Sequence, residues 1–493
     1  MSISFGTDGW RAVIAEDFTF ENVALVTQAI ANVLLSPERK SLPMYGKKGT
    51  GYPCPYREAS SGLVVGFDTR FLSEEFAQMA AKVIAANGIP VHIADSPSPT
   101  PAVSHAVSSL KTAGALMITA SHNPPRWNGI KFKPEYAGSA LSEVTDLIER
   151  EIQLLLKGGE KIRKEPEASI STFDARGPYL AALRGQVDLA KVDQSVKKII
   201  ADPMYGASQG CVASFFKDLS IEASEIHVER NPYFGGMNPE PIGKSMEPLT
   251  EAVLFGRADG GFAFDGDGDR IGAVDEEGRF LNSHDIFSLL LRHLVQNKGR
   301  KGSVVKTFST TERIRILADR FGLPFHETPI GFKHISDFML AEDVLIGGEE
   351  SGGIGFAGHI PERDGLLCAL LLLEMCGMER KSLGALKNEL DEEIGPRVCD
   401  RIDLHCEDGD RKKGLIESLQ ADVSWPVPGS RIKEVRNLDG VKYLLEDDSW
   451  ILFRPSGTEP VVRIYAEARD HETVRALLAA GKEIFLGTVT ASR

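Results

Sequence analysis

Hydrophobic positions along this chain fall mostly in short uncharged runs, each handing over to an amphipathic stretch or a polar loop. The run AGALMITA, Ala113–Ala120, ends directly on SHNP. A short apolar run of this kind reads as a buried strand of a parallel sheet rather than half of a surface hairpin. The pattern recurs in three regions. LVVGFDTR (63–70) precedes the helical stretch SEEFAQMAAKVIAANG, and ALMITASHN follows later. VKKIIADPMYG (196–206) and ASQGCVASFFKDL lead to GGFAFDGDGD, while SVVKTFST (303–310) and TERIRILADRFG lead to DVLIGGEESGG. Alternation of this kind predicts three α/β domains with mixed, largely parallel sheets. The repetition is architectural, without a repeat at the level of residues.

Past Gly395–Cys399 the pattern changes. The strands YLLE, WILFR and VVRIYAEA and the helix HETVRALLAAGKEIFLG predict a smaller α+β C-terminal domain. Further boundaries fall near Gln186–Asp193 and Asn297–Gly302, so the expected domains are 1–187, 188–298, 299–398 and 399–493. Residues 36–62, rich in Pro, Gly and Lys, show no regular pattern and read as an ordered surface excursion. In RDGLLCALLLLEMCG, Asp364 is placed to cap a helix that is apolar nearly all round, hence buried.

With 493 residues the chain is too long for one core, and about three to five domains are expected. A formal charge of −14 argues against a general nucleic-acid binder but leaves room for a local basic pocket. Six cysteines at 54, 211, 368, 376, 399 and 406 form no CxxC pair, which argues against zinc and for reduced thiols. MSISFGTDGW lacks the features of a signal peptide, and the most apolar helical run carries a glutamate and is too short to span a bilayer. The expectation is a cytoplasmic protein with no membrane or nucleic-acid partner.

Candidate chemistry sits at the ends of the apolar runs, where ligands meet open α/β sheets. Ser121 in TASHNP stands at one such end; the alternative is a polar turn shaped by Pro124. DGDGDR, Asp265–Arg270, converges Asp265, Asp267 and Asp269 on one side of an extended segment, where three carboxylates call for a cation. Hard oxygen ligands suit Mg²⁺. An EF-hand would place Glu276 at its twelfth position, but Arg270 occupies its glycine position and the flanks GGFAF and IGAV look like strands. A metal-free acidic loop is the other alternative. GEESGG (348–353) suits hydrogen bonding to a polyol or forms an acidic turn. RPSGTEP (454–460), with Arg463 beyond it, suits a phosphate nest or an ordinary surface turn. Arg11, Lys131 and Lys333 say little in isolation.

TASHNP, DGDGDR, GEESGG and RPSGTEP, in that order along the whole chain, together resemble the α-D-phosphohexomutase superfamily, close to phosphoglucomutases and phosphomannomutases. FGTDGWR and GFKHI are similar to the same family. The resemblance implies four domains around a central cleft, bearing in turn the phosphoserine, the metal, the sugar and the distal phosphate. It implies phosphoserine at Ser121, one Mg²⁺ held by Ser121, Asp265, Asp267 and Asp269, and a hexose phosphate substrate turned over through a sugar 1,6-bisphosphate that also primes the enzyme. Glu349 and Ser351 would hold sugar hydroxyls. Arg454, Ser456, Gly457, Thr458 and Arg463 would grip the phosphate that is not reacting. Lys131 would be the general acid/base, provided its pKa is lowered, with Arg11, His122, Arg270 and Lys333 supporting charge and substrate.

Family members acting on glucosamine phosphate, or on both mannose and glucose phosphates, typically carry a histidine after the SG of the sugar loop; Gly353 stands there here. The EES glutamate pair is more similar to glucose-selective members. Glucose phosphate is therefore the expected substrate. Mannose phosphate, dual specificity or a non-catalytic sugar-phosphate-binding role are the alternatives. Oligomeric state is not legible in the motifs.

Overall fold

A computed structural model describes residues 3–6, 8–42, 56–158, 161–421, 430–456 and 460–487. Three mixed sheets are followed by an antiparallel one. The first has the spatial order Trp10–Val13, Trp127–Pro134, Gly114–Ile118, Leu63–Phe67, Val91–Ala94 and Ile170–Phe173. The second runs Phe280–Leu281, Ile271–Asp275, Gly260–Phe264, Lys198–Asp202, Glu222–Glu225, and the third Phe325–Thr328, Ser303–Thr307, Val344–Gly348, Ile354–Phe356. In the last, Val398–His405, Val461–Ala468, Trp450–Pro455, Val441–Leu445 and Ile432–Arg436 are antiparallel throughout. The α/β reading and the α+β ending both hold.

Each mixed sheet has two adjacent parallel strands at its centre: Leu63–Phe67 beside Gly114–Ile118, Lys198–Asp202 beside Gly260–Phe264, and Ser303–Thr307 beside Val344–Gly348. Five of the six are wholly buried and Lys198–Asp202 nearly so, which is why they read as apolar runs rather than alternations. Gly114–Ile118 is not parallel on both sides, however. Its other neighbour, Trp127–Pro134, is antiparallel, because the chain turns back at once through Pro124, whose carbonyl accepts the Trp127 N–H at 3.0 Å.

Hydrogen bonds between loops, most of them to backbone carbonyls, fix the sheets around one another. Thr69 Oγ1 donates to Tyr205 O (2.7 Å), Ala207 N–H to Gly266 O (2.9 Å) and Thr100 N–H to Asp267 O (2.8 Å). Ile271 N–H donates to Gly352 O (3.2 Å), with Arg270 bridged to Gly353. The last sheet is tied to the third by Glu312 N–H to Glu467 Oε1 (3.2 Å) and Ile330 N–H to Asp439 Oδ2 (2.9 Å).

The helix Gly365–Glu379 is buried from Gly365 to Gly377, as its all-round apolarity predicts. Asp364 caps it by accepting the Leu367 N–H at 2.9 Å, and also accepts from Tyr179 Oη (2.8 Å) while paired with His359 Nε2 (2.9 Å). One carboxylate thus joins the connecting helix Arg176–Arg184 to the central helix. Of the expected excursion at 36–62, residues 43–55 lie outside the described residues. Its ends are built into the first sheet domain: buried Arg39 donates to Glu135 and to Ala113 O, and Arg57 to Val107 O and Thr112 O. Among the described residues Cys211, Cys368, Cys376, Cys399 and Cys406 are free thiols, and no helix is long and apolar enough to cross a membrane.

Replacing Asp364 removes a helix cap and leaves the buried Tyr179 hydroxyl without its acceptor. Together these cost about 2–4 kcal/mol. Asp364→Ala is expected to lower the melting temperature by several degrees, and Asp364→Asn by less, in a thermal denaturation followed by circular dichroism.

Candidate functional site

The serine loop leaves strand Gly114–Ile118 and is shaped by its own polar atoms. Thr119 Oγ1 accepts the Ser121 N–H at 2.8 Å, and Ser121 adopts a left-handed backbone with φ 51°. A non-glycine residue holds that conformation only when its surroundings impose it. Arg70, in the loop after strand Leu63–Phe67, imposes it. Its Nη2 donates to Ser121 O (2.6 Å) and Asn123 O (2.7 Å), and its Nη1 to Pro124 O (2.9 Å) and Trp127 O (3.0 Å). Asp68 pairs with the same guanidinium at 3.2 Å. Arg70 thereby collects four carbonyls of one loop.

The acidic loop lies against this turn. A Cβ on Gly266 would overlap the carbonyl oxygen of Ser121, so glycine is needed for the approach. Ser121 Oγ donates to Asp265 Oδ2 at 2.6 Å and lies 3.3 Å from His122 Nδ1. Asp265, Asp267 and Asp269 are fully buried and can bring one oxygen each within 4.8 Å of the others. Asp267 Oδ2 accepts from Thr100 Oγ1 (2.5 Å) and Lys131 Nζ (2.8 Å), and Asp269 Oδ2 pairs with Lys131 (2.9 Å) and Arg363 (2.8 Å). Among the described residues Asp267 Oδ1 and Asp269 Oδ1 have no hydrogen-bond donor, although both are buried. Buried carboxylate oxygens without donors are costly. A hard divalent cation at the triad would satisfy them, so the residues present fit a metal.

Charge in the site is compensated across long sequence separations. Lys131 is ringed by Asp8 (2.8 Å), Asp267 and Asp269. Burial alone would lower its pKa, but these carboxylates outweigh that and hold it above the usual lysine value. That direction is opposite to the lowering a general base needs. Burial raises the pKa of Asp265, and the like charges of Asp267 and Asp269 push it well above the usual carboxylate range. Burial also opposes ionisation of Asp8, yet Lys131, Lys133 and Arg363 keep its carboxyl well below that range. His122 is pushed well below its ordinary value by burial and by Arg270, Arg11, Arg70 and Lys131, so it is neutral. Arg11 reaches Asn123 Oδ1 at 2.7 Å, and Arg270 reaches Glu240 Oε1 at 3.2 Å.

The sugar-loop candidate leaves strand Val344–Gly348 and closes through Glu349 N–H to Gly353 O at 3.0 Å. Ser351 Oγ and Glu350 Oε2 are buried without hydrogen-bond partners. Burial raises the Glu349 pKa to about 7, with Arg363 at 3.4 Å opposing the rise and Glu350 adding to it. In the last sheet Arg454 and Arg463 are direct cross-strand partners, an arrangement that is unfavourable without an anion. Arg454 Nε donates to Asp439 Oδ2 at 3.0 Å, Arg463 pairs with Asp403 at 3.6 Å, and Ser456 is buried. Gly457 and Thr458 lie outside the described residues. Lys333 stands on helix Phe332–Ala341 and joins no ion pair of the site among the described residues.

The structure thus brings Ser121, His122, Lys131, Arg11, Arg270 and the three aspartates into one cluster, linked by Arg363 to Glu349. Sequence reasoning missed Asp8, Arg70, Glu240 and Arg363. Asp8 and Arg363 lay inside quoted motifs, where their charge amid otherwise apolar or glycine-rich residues was the available signal. Arg70 closed the quoted run LVVGFDTR, where its charge at the strand end was the signal; Glu240 carried none.

Family models match along the chain: phosphoglucomutase/phosphomannomutase alpha/beta/alpha domain I over residues 52–157, domain II over 177–278, domain III over 282–393, and the C-terminal domain over 417–483. The chain belongs to the α-D-phosphohexomutase superfamily. This phosphohexomutase is 28% identical to a phosphoglucomutase/phosphomannomutase of Thermococcus kodakarensis, over 97% of each chain. It is 30% identical to a phosphoglucosamine mutase of Limosilactobacillus fermentum over 96% of each, and 28% identical to a phosphoglucomutase of Komagataeibacter xylinus over 94% and 87%. A crystal structure from Thermus thermophilus, provisionally named a phosphomannomutase, is 36% identical with a TM-score of 0.84, covering 99% of this chain and 100% of that one. The phosphohexomutase is accordingly an intramolecular phosphotransferase acting on sugar phosphates.

If the aspartate triad holds a divalent ion, metal-stripped phosphohexomutase should gain thermal stability on titration with Mg²⁺. A free concentration one hundredfold above Kd corresponds to about 2.7 kcal/mol. Asp267→Asn is expected to abolish most of the shift in differential scanning fluorimetry.

Proposed function

We propose that this phosphohexomutase interconverts glucose 1-phosphate and glucose 6-phosphate through phosphoserine at Ser121 and a glucose 1,6-bisphosphate intermediate that also primes it. The observation that carries the reading is Ser121 itself. It is held in a left-handed turn by Arg70, with its hydroxyl 2.6 Å from a buried triad that retains two donorless oxygens. Phosphoryl transfer depends chiefly on positioning and charge stabilisation. Asp265, Asp267, Asp269 and the Ser121 phosphate would hold Mg²⁺, which when bound supplies Lewis-acid polarisation of the phosphoryl group.

In the first half-reaction the free hydroxyl of the hexose phosphate takes the phosphoryl group. A new sugar O–P bond forms, the Ser121 Oγ–P bond breaks, and the proton lost by the sugar hydroxyl ends on the departing Ser121 oxygen, restoring the hydroxyl that donates to Asp265. Lys131, held as an ammonium, and Arg270 donate to the transferring oxygens, while Arg11 and neutral His122 line the serine. Glu349 and Ser351 accept from and donate to sugar hydroxyls. Arg454, Ser456, Gly457, Thr458 and Arg463 grip the other phosphate, relieving the repulsion between the facing arginines. The bisphosphate then turns over in the cleft and returns its second phosphoryl group to Ser121.

The glutamate pair of GEESGG favours glucose phosphate. Mannose phosphate, alone or together with glucose phosphate, is the second reading, supported by the relatives named for phosphomannomutase. The decisive measurement is kcat/KM for the 1-phosphates of glucose, mannose and glucosamine, each primed with its bisphosphate. A strong glucose preference is expected, whereas comparable mannose rates would replace the first reading by the second. Intact mass should reveal one phosphate adduct that Ser121→Ala lacks together with its activity.

An ionised carboxylate accepts sugar hydroxyls more strongly than the neutral acid. With Glu349 near 7, kcat/KM should fall as pH drops through about 7. Glu349→Gln should show a lower plateau without that inflection, in a pH profile measured on both proteins.

A further inference from the structure

Two residues outside the proton-transfer cluster compete for one volume. Gly353 closes the sugar loop, and its backbone is not in the left-handed region, so conformation alone would admit a side chain there. Space would not. A Cβ built on Gly353 would overlap Cδ of Arg363 and stand 2.8 Å from its Cγ. Arg363 is buried, its stem fills the room above Gly353, and its guanidinium stacks over the Phe332 ring at 5.3 Å. A side chain at 353 and Arg363 in this position are mutually exclusive.

The guanidinium is divided in its duties. Nη2 holds Asp8 and, at 2.8 Å, Asp269, anchoring the group between the N-terminal segment and the acidic loop. Among the described residues Nη1 has one partner, Glu349 Oε2, at a loose 3.4 Å. Beside it lies the carboxylate of Glu349, two residues before Ser351, whose hydroxyl has no hydrogen-bond partner among the described residues. A buried cation and carboxylate separated by this much form a donor–acceptor pair that two adjacent hydroxyls can bridge, one donating to the carboxylate and the other accepting from Nη1.

We propose that Arg363 is a specificity-determining residue that donates a hydrogen bond to one hydroxyl of a vicinal pair on the sugar, and that Gly353 is small because Arg363 occupies its side-chain space. The proposal rests on the reading of residues 349–351 as the sugar loop.

The test compares wild type, Arg363→Ala, Gly353→Ala and the double variant, using the hexose 1-phosphate that wild type turns over best and its monodeoxy analogues. In wild type one deoxy position should cost about tenfold to a hundredfold in kcat/KM, the range of a charge-assisted hydrogen bond. Arg363→Ala should lose that discrimination while still discriminating at the hydroxyl read by Glu349. Gly353→Ala, which displaces the arginine without deleting it, should lose the same discrimination and serves if Arg363→Ala does not fold. The double variant should be no worse than Arg363→Ala. Discrimination retained in Arg363→Ala, or additive losses in the double variant, would overturn the proposal. A wild type that turns over none of the hexose 1-phosphates would overturn the proposed function and this inference with it; wild-type turnover indifferent to every deoxy position would overturn this inference alone.

Discussion

Three carboxylates buried within 4.8 Å of one another cannot all be charged unless something positive stands close by. Much of this molecule's centre is organised around that constraint. Lys131 and Arg363 bring two cations to the outer oxygens of Asp267 and Asp269, and Asp8 is buried between the same two cations. Arg270 stands 4.0 Å from Asp269 Oδ1, yet Asp267 Oδ1 and Asp269 Oδ1 have no hydrogen-bond donor among the described residues. An acidic loop left with such oxygens favours a cation.

Position is supplied by a different kind of bonding. Loops at the carboxyl ends of the paired parallel strands are stitched to one another through backbone groups: Tyr205 O to Thr69, Gly266 O to Ala207, Asp267 O to Thr100, Gly352 O to Ile271. These bonds carry no net charge, and they add to the hold that the Arg70 guanidinium has on the serine loop. The facing pair Arg454 and Arg463 belongs to a separate antiparallel sheet, tied to the third through carboxylates instead, Glu467 accepting from Glu312 N–H and Asp439 from Ile330 N–H.

Local pattern was enough to read the strand ends. AGALMITA, GGFAF and DVLIGG are buried strands, and the serine, the aspartates and Glu349 follow them because chemistry at a sheet edge sits in the next few residues. What could not be read is what depends on distant partners. The Lys131 charge state is decided by Asp8, Asp267 and Asp269, which are far from it in sequence in both directions, so a local reading left it open as a base. Arg70 works through four carbonyls, which have no sequence signature. Arg363 was absorbed into an apolar helix entry whose dominant signal is burial. The antiparallel neighbour of Gly114–Ile118 was hidden because a turn at Pro124 does not reveal which strand edge it returns along.

The shared volume of Gly353 and Arg363 also constrains the history open to this sequence. A larger residue at 353, if it comes first, pushes the arginine stem out of its place. Loss of the arginine first would leave Asp8 and Asp269 each short of a cation in a buried setting. Either single step descends before the second can climb, so descendants are expected to keep both residues or to exchange both, and sampling single substitutions one at a time will rarely find the alternative pairing.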